Sequence, residues 1–220
     1  YEFALMLLKK NYPHYELKEF CDLAKIRPYS TVYEMIATLP ETITRGGIKA
    51  LLPEYKQRLS EIFSSHKEPK VYELRNVALY GISECERAEQ FMEVLKSEDY
   101  TALGNMMKIS HNGDRIGVEN VSDAHLEQLI ANNTPFETEC GSYACSTPEI
   151  DYLCDVLNAT DGVLGSEIVG AGLGGCVIAL VEKSKADNII EVINRDYYDK
   201  YGFTHAANVY SASSGSSVIF

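Results

Sequence analysis

The chain has 220 residues, 45% of them hydrophobic and 24% charged, with 32 Asp and Glu against 20 Lys and Arg for a net charge of −12. This is a globular composition with ample apolar material for a core, and its acidity argues against nucleic acid or an anionic membrane as a partner through bulk charge. The apolar runs fall short of the roughly 18 residues of a membrane span, and no basic segment followed by an apolar one marks a secretory signal.

The first two-thirds read as helices. Apolar residues are frequent from Glu2 to Lys10, and Pro13 breaks the pattern. Short helices are expected over Tyr15–Ala24 and Thr31–Thr38, the latter ended by Pro40. Gly46-Gly47 marks a turn, Ile48–Ser64 reads as a helix with Pro53 in its first turns, and Ser64–Pro69 is a polar connector. Val71, Leu74, Ala78, Ile82, Cys85, Ala88, Met92 and Leu95 then recur at steps of three and four, the stripe of a long helix from about Pro69 to Lys96. A helix over Tyr100–Ile109 is followed by the turn-like Asn112-Gly113-Asp114. Another is expected over Asp123–Asn132. Pro148, preceded by Ser146 and Thr147, suits the first turn of a helix whose face is Ile150, Leu153, Cys154 and Leu157, and Gly162 stops it.

The character changes near Val163. Ser166–Val169 and Cys176–Val181 are short β-branched runs expected to pair as strands. Lys183–Lys200 is an amphipathic helix, and Ala207–Tyr210 and Ser217–Phe220 read as two final strands. The order helix, strand, strand, helix, strand implies an α+β layer with an antiparallel sheet.

Between the first two strands lies Gly165-Ser-Glu-Ile-Val-Gly170-Ala-Gly172-Leu-Gly174-Gly175-Cys176. Four glycines in six positions exceed the needs of a turn. They permit positive φ and close approach of another body, and successive amides offer an anion nest. Gly170, Gly172 and Gly175 satisfy G-x-G-x-x-G literally, but that dinucleotide fingerprint needs a helix straight after the loop, and here a β-type run follows. A plain glycine-rich hairpin is the structural alternative.

The same segment resembles the third motif of the GHMP small-molecule kinases, and within them the galactokinase and sugar-1-kinase branch. Ser110-His111, the stretch Tyr143-Ala-Cys-Ser146-Thr-Pro148-Glu149-Ile-Asp151, the helix with Cys85-Glu86-Arg87 and the closing Ala206–Phe220 resemble neighbouring parts of galactokinases. The resemblance covers roughly residues 70–220, with 1–69 a loosely matched helical segment packing on the rest. It implies a ferredoxin-like C-terminal kinase domain with added helices. It also implies that the N-terminal nucleotide-binding domain is absent from this chain, which opens on Tyr1 and is expected to be a processed product or a piece of a longer one. The activity implied for the complete enzyme is ATP- and Mg2+-dependent phosphoryl transfer to a sugar hydroxyl, in the cytoplasm. Gly170, Ala171, Gly172, Gly174 and Gly175 would line the phosphate and substrate side of the cleft, with no catalytic residue and no metal ligand in this chain. The alternative is a non-catalytic sugar-binding sensor or interaction module on the same fold. Glu167 stands where galactokinases usually carry Arg or Lys, and would oppose phosphate charge if it faced the cleft.

Other residues read more plainly. His111 is expected at the surface or as a cap, and Glu149 and Asp151 as solvated residues favoured by a helix dipole. His14, His66, His125 and His205 show no metal-ligand spacing. None of the six cysteines forms a C-x-x-C pair, and all are expected as free thiols, with Cys140 and Cys145 able to close a short loop only in an oxidising compartment.

Overall fold

The computed structural model describes residues 1–170 and 172–211. Its helices are α1 (Glu2–Asn11), α2 (Phe20–Ala24), α3 (Tyr29–Ala37), α4 (Arg45–Leu51), α5 (Lys56–Ser64), α6 (Leu74–Lys96), α7 (Tyr100–Asp114), α8 (Asp123–Asn132), α9 (Pro148–Ala159) and α10 (Ala186–Ile193). The strands are β1 (Thr42–Ile43), β2 (Tyr72–Glu73), β3 (Val163–Val169) and β4 (Cys176–Val181). β1 pairs antiparallel with β2, and β3 with β4. The fold is α+β, helix-rich with small antiparallel sheets.

The caps explain several boundaries. Asp99 accepts from the Ala102 amide at the start of α7, Ser122 from His125 at α8, and Thr147 from Ile150 at α9, where Pro148 takes the position whose amide needs no partner. Gly202 ends the last helical turns in the left-handed region, φ +68°.

α6 is the spine. Its Leu74, Ala78, Leu79 and Ile82 are buried in a core that gathers α1, α3, α8 and the short turn carrying Phe136. Two buried arginines on α6 finish this body by satisfying carbonyls that helix and turn ends leave open. Arg75 donates to Ala37 O (3.0 Å) at the end of α3 and to Leu39 O (2.7 Å) just past it, and Arg87 donates to Glu137 O (3.0 Å) and Glu139 O (2.5 Å). A second core joins Leu153 and Leu157 of α9 to Val163 of β3, Ile189 and Ile193 of α10, and Tyr197.

Between these bodies α7 lies on the other face of β3. Gly104 and Gly165 meet backbone to backbone, and a Cβ built on either would fall well inside contact distance of the facing chain. Residues 165 and 167 therefore face α7, while Ser166 faces α9 and donates to Asn158 Oδ1 (3.0 Å).

The structure corrects several expectations. The Ile48–Ser64 helix is two helices, because Pro53 opens a short 3₁₀ turn between α4 and α5. Tyr15–Glu19 are bends and irregular backbone, so α2 begins only at Phe20. Asn112-Gly113-Asp114 is not a turn but the end of α7. Ala207–Tyr210 are irregular rather than a strand. Ser217–Phe220 lie outside the described residues. Cys21 and Cys85, 64 residues apart, form a disulfide between α2 and α6 with Cα atoms 5.3 Å apart, while Cys140, Cys145, Cys154 and Cys176 are free. The all-thiol reading therefore fails at this pair, whose sequence spacing carried no signal.

Candidate functional site

The glycine segment is the tip of the β3–β4 hairpin. Val169 pairs with Cys176, leaving residues 170–175 as the connecting loop. Gly170 (φ +101°), Gly172 (+80°), Gly174 (+112°) and Gly175 (+104°) all take the left-handed or mirror-extended backbone that side chains resist. Leu173 shares it at φ +62°, with its side chain 84% exposed. Ala171, the fifth predicted residue, lies outside the described residues. β4 follows the loop directly, so the helix that a dinucleotide fingerprint requires is not there.

The glycines serve two purposes. A Cβ on Gly170 or Gly174 would meet nothing within 4 Å, so both sit on an open rim where a ligand can reach the backbone. A Cβ on Gly172 would lie 2.5 Å from the Cys145 carbonyl and 2.7 Å from its sulfur, so here the absent side chain admits a neighbouring strand of backbone. The Leu173 amide donates to that Cys145 carbonyl at 2.5 Å.

Cys145 is held from behind by the end of α7. The last carbonyls of a helix have no intrahelical partner. Gly113 O accepts from the Tyr143 amide (2.7 Å) and Asp114 O from the Ser146 amide (2.8 Å). Gly113 must be small, because a Cβ there would meet the Tyr80 ring and Cys140 O at 2.6 and 2.7 Å. Tyr143 stacks on Tyr80 with ring centres 5.4 Å apart.

His111, expected at the surface, is fully buried. Its Nε2 lies 3.4 Å from Asp151 Oδ1, and burial, then the Arg115 guanidinium, holds its pKa below the ordinary histidine value. Asp151, in the first turn of α9, is half-buried against that imidazole rather than fully solvated. Its Oδ2 accepts from the Ile116 amide at 3.4 Å. Ser110 Oγ donates to Glu84 Oε2 at 3.1 Å.

Glu167 does not project from the hairpin tip. It lines a cavity of about 170 Å³ between α6, α7 and β3, together with Glu84, Arg87, Phe91, Met107 and Ser110. Burial, reinforced by the Glu84 and Asp114 carboxylates and opposed by Arg87, pushes its carboxyl up to about 7. Arg87 gives little direct relief, since its donors go to Glu84, Glu137 O and Glu139 O. Glu84 carries no signal in the sequence, and Asp114 and Cys145 enter there only as part of a turn and as a thiol in a matched stretch, not as site residues. Only their convergence in space marks them, and no spacing along the chain carries it.

Among the described residues no group of three or more His, Cys, Asp and Glu is disposed to hold a metal ion, and no helix is long and apolar enough to cross a membrane.

Residues 91–199 match the family model described as GHMP kinases C terminal. A galactokinase of Roseiflexus sp. is 28% identical over 169 residues, 77% of this chain and 36% of that protein. A galactokinase of Dictyostelium discoideum is 29% identical over 168 residues, 76% of this chain and 30% of that protein. One from Enterococcus faecalis is 44% identical over 139 residues, 63% of this chain and 35% of that protein. The chain spans about a third of the length of the curated relatives it matches.

Proposed function

Since the chain carries a GHMP kinase C-terminal domain similar to those of galactokinases, we propose that it is the C-terminal part of a cytoplasmic ATP-dependent sugar kinase. In the complete enzyme the γ-phosphoryl group of ATP would pass to a hydroxyl of a sugar substrate. Residues 70–220 form the kinase-type domain in this reading, 1–69 a helical segment packed on it, and a nucleotide-binding domain supplies the rest of the active site.

The observation that carries the proposal is the glycine loop. Phosphoryl transfer depends mainly on positioning and on stabilising the charge of the phosphates. Gly170, Ala171, Gly172, Gly174 and Gly175 would contribute backbone amides to the phosphate and substrate side of the cleft, the four glycines having no side chain to hold a ligand off. Glu167, turned into the cavity between α6, α7 and β3, does not set its charge at the loop rim. Magnesium bound with the nucleotide would neutralise phosphate charge. In this reading its protein ligands belong to the nucleotide-binding domain.

The test is ADP release with ATP, magnesium and a panel of hexoses, pentoses and uronic acids, run on this chain and on the complete product of its reading frame. Turnover only in the longer product is expected, and the active sugar names the substrate. Silence in both, with a sugar still bound, would replace the kinase by a non-catalytic sensor. Turnover by this chain alone would refute the division of labour between two domains.

A further inference from the structure

We propose that Asp114 is the positioning residue of the glycine loop, acting through Cys145. The inference rests on the reading of that loop as the phosphate-side element.

Asp114 is the last residue of α7 and is 6% exposed. Its Oδ1 accepts from two donors, Tyr80 Oη at 2.8 Å from α6 and Cys145 Sγ at 3.2 Å from the segment before α9. Its backbone carbonyl accepts from the Ser146 amide at 2.8 Å. One residue thus grips residues 145 and 146 by both its carboxylate and its main chain. Cys145 passes the grip on, because its carbonyl accepts the Leu173 amide and its carbonyl and sulfur fill the space that Gly172 leaves.

The chemistry at each joint fits this role. Burial and the bond to Asp114 push the Cys145 thiol up to about 12, so it stays protonated and donates rather than reacting as a thiolate. The Tyr80 hydroxyl is driven upward by the same causes and also stays a donor. Two protonated donors on one carboxylate oxygen form a stable fork, and a charged acceptor makes both bonds stronger than neutral ones. The glycines beyond have little preference of their own for one conformation, so a loop built from them needs an external template. The Asp114–Cys145 link supplies it.

The experiment is amide hydrogen exchange on the full chain, read at the loop and along the β3–β4 ladder. Asp114→Ala removes the acceptor, Asp114→Asn keeps an oxygen at the same place, and Cys145→Ala removes the thiol without altering α7. In Asp114→Ala and Cys145→Ala, exchange at the Leu173 amide is expected to rise about tenfold, the scale of one lost hydrogen bond, while the ladder stays protected. Asp114→Asn is expected to remain near the parent. Unchanged exchange at Leu173, a rise spread equally over the hairpin, or Asp114→Asn behaving as Asp114→Ala would overturn the proposal. If Asp114→Ala fails to fold, Cys145→Ala alone decides between these outcomes. In the complete product, a loosened loop with undiminished phosphoryl transfer would refute the phosphate-side reading while leaving the positioning role in place. Impaired transfer with a fully protected loop would overturn the role itself.

Discussion

The body around α6 and the hairpin around the glycine loop are held together by opposite means. In the first, side chains do the work: Tyr33, Phe136, Leu8 and Ile36 fill the interior, and Arg75 and Arg87 cover open carbonyls. In the second, the critical contacts are made where side chains are missing, at Gly104 against Gly165, Gly113 against Tyr80, and Gly172 against Cys145. A packed side-chain core can relax partly around a lost methylene. Backbone lying on backbone has no side chain to move aside. The hairpin that carries the proposed ligand loop is thus, at its buried contacts, the region with the least tolerance for added atoms.

The sharpest way to break this contrast is Gly165→Ala. The new Cβ would overlap the Gly104 backbone, and neither strand nor helix can yield without shifting the whole contact. We expect a loss of about 4 kcal/mol or more, seen as loss of soluble protein or a collapse of Tm. Leu79→Ala in the α6 core removes far more volume, yet we expect only about 3 kcal/mol in urea titration. Should Leu79→Ala prove the worse of the two, the contrast is wrong. Gly174→Ala adds the same methyl in open space, so only the left-handed backbone resists it, at about 1 kcal/mol. In the complete product it is expected to reduce turnover more than Tm; an equal loss of both would remove Gly174 from the site.

Glu167→Gln has the smallest effect, and it is revealed by pH. The folded carboxyl titrates at about 7 against an ordinary value of 4.5. Below the ordinary value the carboxyl is neutral in both states and burial costs nothing. Between 4.5 and about 7 the unfolded carboxyl ionises while the buried one stays protonated, so the folded state loses stability over that window and loses no more above it. Gln is neutral throughout, so Glu167→Gln is expected to raise Tm by a few degrees near pH 8, with the gain fading by about pH 5. A gain that does not change with pH would show that the effect is one of packing and not of charge.

Much of the side-chain-built half was legible in the sequence. The stripe from Leu74 to Ile82 announced α6, and Thr147-Pro148 announced α9, because periodicity and caps are local signals. The glycine-built half was legible only as an anomaly of composition. Asn112-Gly113-Asp114 reads as a turn by every local rule, but α7 continues through it because Tyr80 and Cys140, both distant in sequence, need the space that Gly113 leaves. His111 carries no mark of burial in its own neighbourhood, since it is closed over by Asp151 from α9. The two-residue β1–β2 pair is too short to show a period. The loop itself was readable, but its anchor was not, because Asp114 and Cys145 meet only after α7 and the segment before α9 have come together.

The stacked tyrosines at that anchor have an optical consequence. The chain contains fifteen tyrosines and no tryptophan, so its near-ultraviolet emission is tyrosine emission alone. Tyr80 and Tyr143 stack beside the Asp114 carboxylate, and Tyr1 closes a triangle with them, its ring centre 5.2 Å from Tyr143 and 6.4 Å from Tyr80. A phenol bonded to a carboxylate emits poorly, so tyrosine emission is expected to rise if the segment before α9 lifts and frees Tyr80. The molecule therefore carries its own light gauge of loop anchoring, readable in stopped flow without a dye. A single tryptophan placed in a partner domain would stand out against it as the lone long-wavelength emitter.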